Sequence, residues 1–179
     1  MTRDSRRLIA GGAGLLAVLL VVAPGLHAQS SPRCDAESYH RLDFWVGSWD
    51  VTLTADARVL AGTNVIEKTL GGCALIEHWT DTRGGAGKSL FYYHPADRVW
   101  KQVWVTDAGS VKEKVSQPQP APGAVRFQGE LRGANGATVL DRTTLTSRPD
   151  GTVRQHIEQS IDQGLTWQTT FDAIYSKRR

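Results

Sequence analysis

The chain has 179 residues, 40% of them apolar and 22% charged, and carries a formal net charge of +3. That is enough polypeptide for one domain with a full core, and too little excess charge to be an electrostatic footprint for nucleic acid or an anionic membrane. The excess shrinks further without the first 28 residues: Arg3, Arg6 and Arg7 leave the 21 basic residues and Asp4 leaves the 18 acidic ones, so that 18 and 17 remain, a net charge of +1.

Those first residues read as an export signal. Arg6 and Arg7 form a basic start, Leu8 to Val22 is an apolar run, and Leu26-His27-Ala28 ends on a small residue, so cleavage is expected after Ala28. The run is shorter than the ~20 residues that a membrane span needs, so no stable anchor is expected after cleavage. Ser5-Arg6-Arg7-Leu8-Ile9 resembles the twin-arginine signal. Ordinary signals also carry paired arginines, and both routes stay open. The expected location is the periplasm or the outside of the cell, and residues 29–179 are expected to form a single domain. Cys34 and Cys73 are an even count in an exported chain, which favours a disulfide tying the N-terminal segment to the wall of the fold. Two separate thiols are the rival. Neither cysteine has another Cys or a His at ligand-like spacing, so no metal site is expected.

After a polar leader over 29–34, Asp35 can cap a short helix running to about Phe44. Tyr39, Leu42 and Trp45 fall at three-residue spacing, which gives that segment one apolar side. Gly47 sits where the chain turns into a strand, a position that favours a residue without a Cβ. Trp49 enters that strand as a large apolar plug. From there the pattern predicts strands at 48–54, 61–69, 73–81, 87–94, 98–106, 110–116, 124–132, 137–147, 152–161 and 165–176. Turn signals separate them, among them Gly71-Gly72, His94-Pro95-Ala96-Asp97, Asn135-Gly136 and Pro149-Asp150-Gly151. Gln117 to Gly123, with three prolines, is the one long loop, because proline cannot donate to a sheet ladder. Nine or ten short strands with no second helical pattern predict an all-β fold. A meander hides its edges only by closing, so the expected form is a closed antiparallel barrel with a short N-terminal helix across one end, large enough to hold one small ligand.

Gly47-Ser48-Trp49, after a helical turn and opening the first strand, resembles the G-x-W motif of the lipocalin and fatty-acid-binding superfamily. The resemblance implies a Trp packed at the closed end under a basic residue from late in the chain, here Lys177 or Arg178. The wider pattern runs from Phe44 through Val51, then Gly71-Gly72-Cys73 with Glu77-His78-Trp79, then Trp100 to Val105, then Phe171-Asp172 with Tyr175. It is similar to a family of bacterial lipocalin-like proteins of uncharacterised function, many of them exported. That likeness spans nearly all of the chain after the signal and implies a fold, not an activity.

Three motifs are weighed against plainer readings. Gly84 to Ser89 looks like a phosphate loop, but Thr82 stands where the first glycine is required and a strand follows instead of a helix, so it reads as a hairpin tip. Ser160-Ile161-Asp162-Gln163-Gly164-Leu165-Thr166-Trp167 fits the Asp-box pattern seen in sialidases and related propellers. With one copy and no repeat, it reads as a staple for its own hairpin. Glu77 and His78 are adjacent on a strand and so point to opposite faces. Glu77 faces inward with Leu75 and Trp79, and neither Arg154 nor Lys101 has the strand parity to pair with it.

The aromatic residues point most directly to a ligand. Trp79, Trp100, Trp104 and Phe171 are expected to line a cavity, with Glu77, Gln102 and Gln155 supplying orienting hydrogen bonds. Trp167, Phe171 and Tyr175 form a further stripe. The plainer reading is that these side chains simply fill a core. The expected function is that of an exported lipocalin-like barrel that binds a small apolar or amphipathic molecule without covalent chemistry, cofactor or nucleic acid. The alternatives are an enzyme that uses Glu77 as acid or base, a haem or other cofactor carrier, and a filled barrel that only contacts other proteins. His156, the tempting haem ligand, shares the polar face with Arg154 and Glu158 and is expected outside.

Overall fold

Three single turns of 3₁₀ helix, two ahead of the first strand and one at Leu70–Gly72, and ten strands make up the computed structural model, which describes residues 34–133 and 136–178. The chain divides into two units, Met1–Ser30 and Ser31–Arg179, and all ten strands belong to the second. The expected signal at 1–28 and the turn residue Asn135 lie outside the described residues.

The strands are β1 (Gly47–Leu53), β2 (Leu60–Thr69), β3 (Ala74–Asp81), β4 (Ala86–His94), β5 (Val99–Thr106), β6 (Val111–Ser116), β7 (Ala124–Arg132), β8 (Thr138–Ser147), β9 (Val153–Ser160) and β10 (Gln168–Lys177). Each pairs antiparallel with its chain neighbour, and β1 pairs with both β2 and β10, so the meander closes into a ten-stranded barrel. All-β class, closure and strand number are those read from the sequence. Closure leaves no row of unpaired backbone groups at an edge.

Local differences have identifiable causes. The segment read as a helix from Asp35 to Phe44 is instead two 3₁₀ turns, Glu37–Tyr39 and Asp43–Trp45. Asp35 caps neither; Ala36 and Leu42 hold the N-cap positions, without a side-chain bond. The three-residue spacing of Tyr39, Leu42 and Trp45 matches the 3₁₀ period more closely than the 3.6 of an α-helix. It buries Leu42 and Trp45 completely. At the other end, β10 starts at Gln168 and not near 165, because Thr166 and Trp167 belong to the preceding turn.

That turn is stapled as the Asp-box pattern implies. The Asp162 carboxylate accepts the Thr166 amide at 2.9 Å, the Thr166 hydroxyl at 2.5 Å and the Ser160 hydroxyl at 2.7 Å. Trp167 lies on the outer side under the Arg142 guanidinium, 3.8 Å from its ring centre. It does not continue the stripe of Phe171 and Tyr175, because a register shift between Thr169 and Phe171 resets the alternation of β10.

Inward-facing residues of one half of the barrel form the apolar core. Trp45, Trp49, Phe91, Trp100 and Phe127 are fully buried there with Leu75, Leu145 and Val153. The rings meet edge to face: Trp45 with Phe91 at 5.4 Å, Phe91 with Phe127 at 5.4 Å, Trp49 with Tyr175 at 6.3 Å. The Trp49 indole N–H donates to Trp45 O at 2.8 Å. Of the two late basic residues, Lys177 is the one above Trp49: its Nζ lies 4.6 Å from the ring centre and donates to Val46 O at 2.9 Å. Gly47 serves this contact twice, with φ at +138° and with a missing Cβ that would fall 2.7 Å from Lys177 Nζ. Cys34 and Cys73 form the expected disulfide.

Candidate functional site

The other half of the interior is hollow. Thirteen side chains line a cavity of about 390 Å³, a size ordinary for a small-molecule site. The pattern along each strand explains it. Going up β3, the inward residues are Leu75, Glu77 and Trp79; along β5 they are Trp100, Gln102 and Trp104; along β9, Val153, Gln155 and Ile157. In each the first is sealed in the core, while the later two face the cavity. The barrel is therefore apolar in one half, polar across its middle, and aromatic beyond.

Of the seven residues singled out in the sequence, Glu77, Trp79, Gln102, Trp104, Gln155 and Phe171 line this cavity. Trp100 does not. It stands one inward position deeper than Gln102, fully buried beside Tyr93, and its indole N–H donates to Ser38 O at 2.8 Å. Its work is to join the 3₁₀ segment to the barrel.

The polar layer is one connected network. Gln102 Nε2 donates to Ser89 Oγ at 3.1 Å, and Ser89 Oγ donates to Glu77 Oε2 at 2.6 Å. Asn64 Nδ2 donates to Glu77 Oε1 at 2.7 Å and lies 3.4 Å from the Tyr175 hydroxyl, which donates to Gln155 Oε1 at 2.5 Å. Burial pushes the Glu77 carboxyl up from its ordinary 4.5, against the hydrogen bonds of Ser89 and Asn64 and the positive charge of Lys114. Burial, together with the charge of Glu77, also raises the Tyr175 hydroxyl well above 10.

Beside this network lies an ionic cluster that the sequence pattern concealed. Asp141 on β8, fully buried, receives Lys112 Nζ at 2.9 Å, Gln159 Nε2 at 2.9 Å and an ion pair from Lys114. Lys114 also donates to Thr143 Oγ1 at 2.7 Å. Burial lowers the Lys114 ammonium below the usual lysine range, partly offset by Asp141. Burial works against the charge of Asp141 as well, but Lys114 and the hydrogen bonds outweigh it and hold the carboxyl below 3.8. The pattern hides the two lysines because β6 reads Val-Lys-Glu-Lys-Val. Ordinary patterning would turn the valines inward, yet Val111 and Val115 are exposed and Lys112 and Lys114 face the lumen. The signal lay in the register: Lys114 is opposite Gln102 and Lys112 opposite Trp104, and partners in a ladder share a face.

Two aromatic walls depend on glycines across the ladder. The Trp104 ring lies over Gly87, where a Cβ would come within 2.3 Å of the indole, and the Trp79 ring lies over Gly62, where it would come within 2.8 Å. Each indole therefore rests flat on backbone and leaves the lumen open. Trp79 and Phe171 meet edge to face at 6.2 Å.

The remaining candidates lie on the outer surface. His78 faces out toward Glu67 at 3.5 Å, so it shares no site with Glu77. His156 bonds Thr169 Oγ1 at 2.9 Å on the outer face, Arg154 pairs with Asp172 at 2.7 Å, and Lys101 pairs with Asp97 at 2.8 Å. Among the described residues no group of three or more His, Cys, Asp or Glu is arranged to hold a metal, and no helix is long and apolar enough to cross a membrane. No protein-family model matches the chain, and no curated protein matches it.

Proposed function

We propose that this chain is an exported, lipocalin-like barrel that holds one small apolar or amphipathic molecule in its lumen and performs no covalent chemistry on it. The observation that carries this reading is the cavity itself: about 390 Å³, walled by Trp79, Trp104, Phe171 and Ile157, over a floor of fixed polar groups. Aromatic walls supply apolar contact and the few placed hydrogen-bonding groups fix orientation, the usual division of labour in a small-molecule site. A filled barrel would not leave this space. The 3₁₀ segment with Trp45 and Trp49 serves in this reading as the seal of the opposite end. Export is supported by the signal-like residues 1–28 and by the disulfide, which persists in oxidising compartments.

Glu77 is read as part of the floor and not as an acid–base catalyst, since both its oxygens already accept hydrogen bonds within the wall. Fluorescence titration with the neutral apolar probe N-phenyl-1-naphthylamine tests the reading. The expected result is saturable enhancement at one site per chain, weakened at least tenfold by Ile157→Trp, which fills the lumen. Absence of saturable binding, or equal binding by the variant, would overturn it.

A further inference from the structure

The charges of the lumen are arranged asymmetrically. Asp141, the carboxylate shared by both lysines, is fully buried behind them and does not line the cavity, while Lys112 does and keeps 28% of its side chain exposed. An ammonium has three donors. Lys112 directs one hydrogen bond to Asp141 and, among the described residues, forms no other. Glu77, the carboxyl that does reach the wall, has both oxygens occupied by Asn64 and Ser89 and is 4% exposed. Burial, which raises its carboxyl, further disfavours a second negative charge there. A molecule entering the lumen thus meets a cation whose counter-ion is hidden behind it.

Deeper in the cavity the requirement is reversed. Gln102 is 7% exposed and lines the lumen, and its Oε1 is buried with no hydrogen-bond partner. An unsatisfied buried acceptor is costly, and a donor on a bound molecule removes the cost. Lys112 stands directly across from Trp104 on the ladder, and Gln102 is the next inward residue of the same strand as Trp104. A two-residue step along a strand is roughly 7 Å. The wall therefore carries, in order, a cation beside an indole face and then, about one aromatic ring system further in, an amide whose oxygen lacks a donor and meets one on a bound molecule when the Gln102 side chain turns toward the lumen.

We propose that the lumen takes a flat aromatic hydroxy acid, its carboxylate on Lys112 Nζ, its ring against Trp104 and its hydroxyl on Gln102 Oε1. This rests on the carrier reading above and assigns its ligand class. Excess basic over acidic groups at the reachable surface excludes a cationic ligand, and the aromatic walls favour a ring over a flexible polar chain.

Isothermal titration calorimetry at low ionic strength tests it on the full chain with three probes: 6-hydroxy-2-naphthoate, 6-hydroxy-2-naphthamide and 2-naphthoate. The hydroxy acid is expected to bind at least tenfold more tightly than its amide and several-fold more tightly than the acid lacking the hydroxyl. Lys112→Gln is expected to abolish the preference for acid over amide, and Lys112→Arg to retain most of it. Gln102→Leu is expected to abolish the preference for the hydroxyl. Equal binding of acid and amide, or of the two acids, overturns the assignment. So does a preference for the acid that survives Lys112→Gln. N-phenyl-1-naphthylamine, titrated into the same preparations, separates the two levels. If it binds while the preferences are missing, only the ligand class is wrong. If it fails to bind, the carrier reading fails as well. Cooperative urea unfolding of each variant shows that the barrel has folded.

Discussion

Glu77 couples the floor of the cavity to folding. Its carboxyl is raised by burial, so the folded chain keeps a proton at pH values where the unfolded chain, near 4.5, has lost it. Stability therefore falls as pH rises from about 4.5 through the raised folded value, because the folded state binds more protons across that window. Glu77→Gln removes this titration. The hydrogen bonds can rearrange: the Ser89 hydroxyl can accept from the new amide and, once the Gln102 amide turns to bring its partnerless Oε1 to the place of Nε2, donate to Gln102. Whatever offset the variant has at pH 4, urea denaturation is expected to show the difference moving in its favour as pH rises. A difference independent of pH between 4.5 and 8 would place the Glu77 carboxyl at an ordinary value. Asp162 has the opposite sign. The hydrogen bonds of Thr166 and Ser160 hold it down at about 2, so the stability it contributes is present above 3.8 and lost as pH falls toward 2.

Among the strands, the open lumen depends on how β4 meets β5. Gly87 has an ordinary backbone conformation, so alanine is tolerated there by the chain itself, but its Cβ would fall 2.3 Å from the Trp104 ring. Gly87→Ala is expected to push that indole off the wall and into the cavity. The neutral probe should bind about tenfold more weakly, on the order of 1.4 kcal/mol, with a changed near-ultraviolet circular dichroism and a folded barrel. Probe affinity equal to that of the parent would show that the indole has another resting place. Gly62 differs, because a Cβ there would also meet the backbone oxygen of Thr80 at 2.3 Å, and backbone cannot swing aside as a ring can.

For the barrel as a unit, closure and the disulfide act on different states. Pairing of β1 with β10 joins the two ends of the described sheet and fixes the folded form. The bond between Cys34 and Cys73 closes a loop with a sequence separation of 39 and acts mainly on the unfolded chain. By the loop-entropy relation, replacing both cysteines by serine costs about 4 kcal/mol. The check is a lowered urea midpoint together with unchanged probe affinity, since neither cysteine lines the cavity. Loss of probe binding in a variant that still unfolds cooperatively would mean that the disulfide also shapes the lumen.

Alternation and turn residues alone were sufficient for the class, the strand number and closure, because each strand is short, bounded by glycine, proline or aspartate, and long enough to bury one face. They also placed Glu77, Trp79, Gln102, Trp104, Gln155 and Phe171 on inward faces, since parity within a strand is a local property. Depth along the barrel is not local. Trp100 and Trp104 share one face of β5, yet one is sealed beside Tyr93 and the other walls the cavity. The inversion of β6, with lysines in and valines out, followed only from its register against β5 and from Asp141 waiting on β8. Which residues could look inward was written into the order of the chain. Which of them met other side chains there, and which met space, was settled by the closed barrel, because packing depends on what strands far apart in the chain bring to the same level.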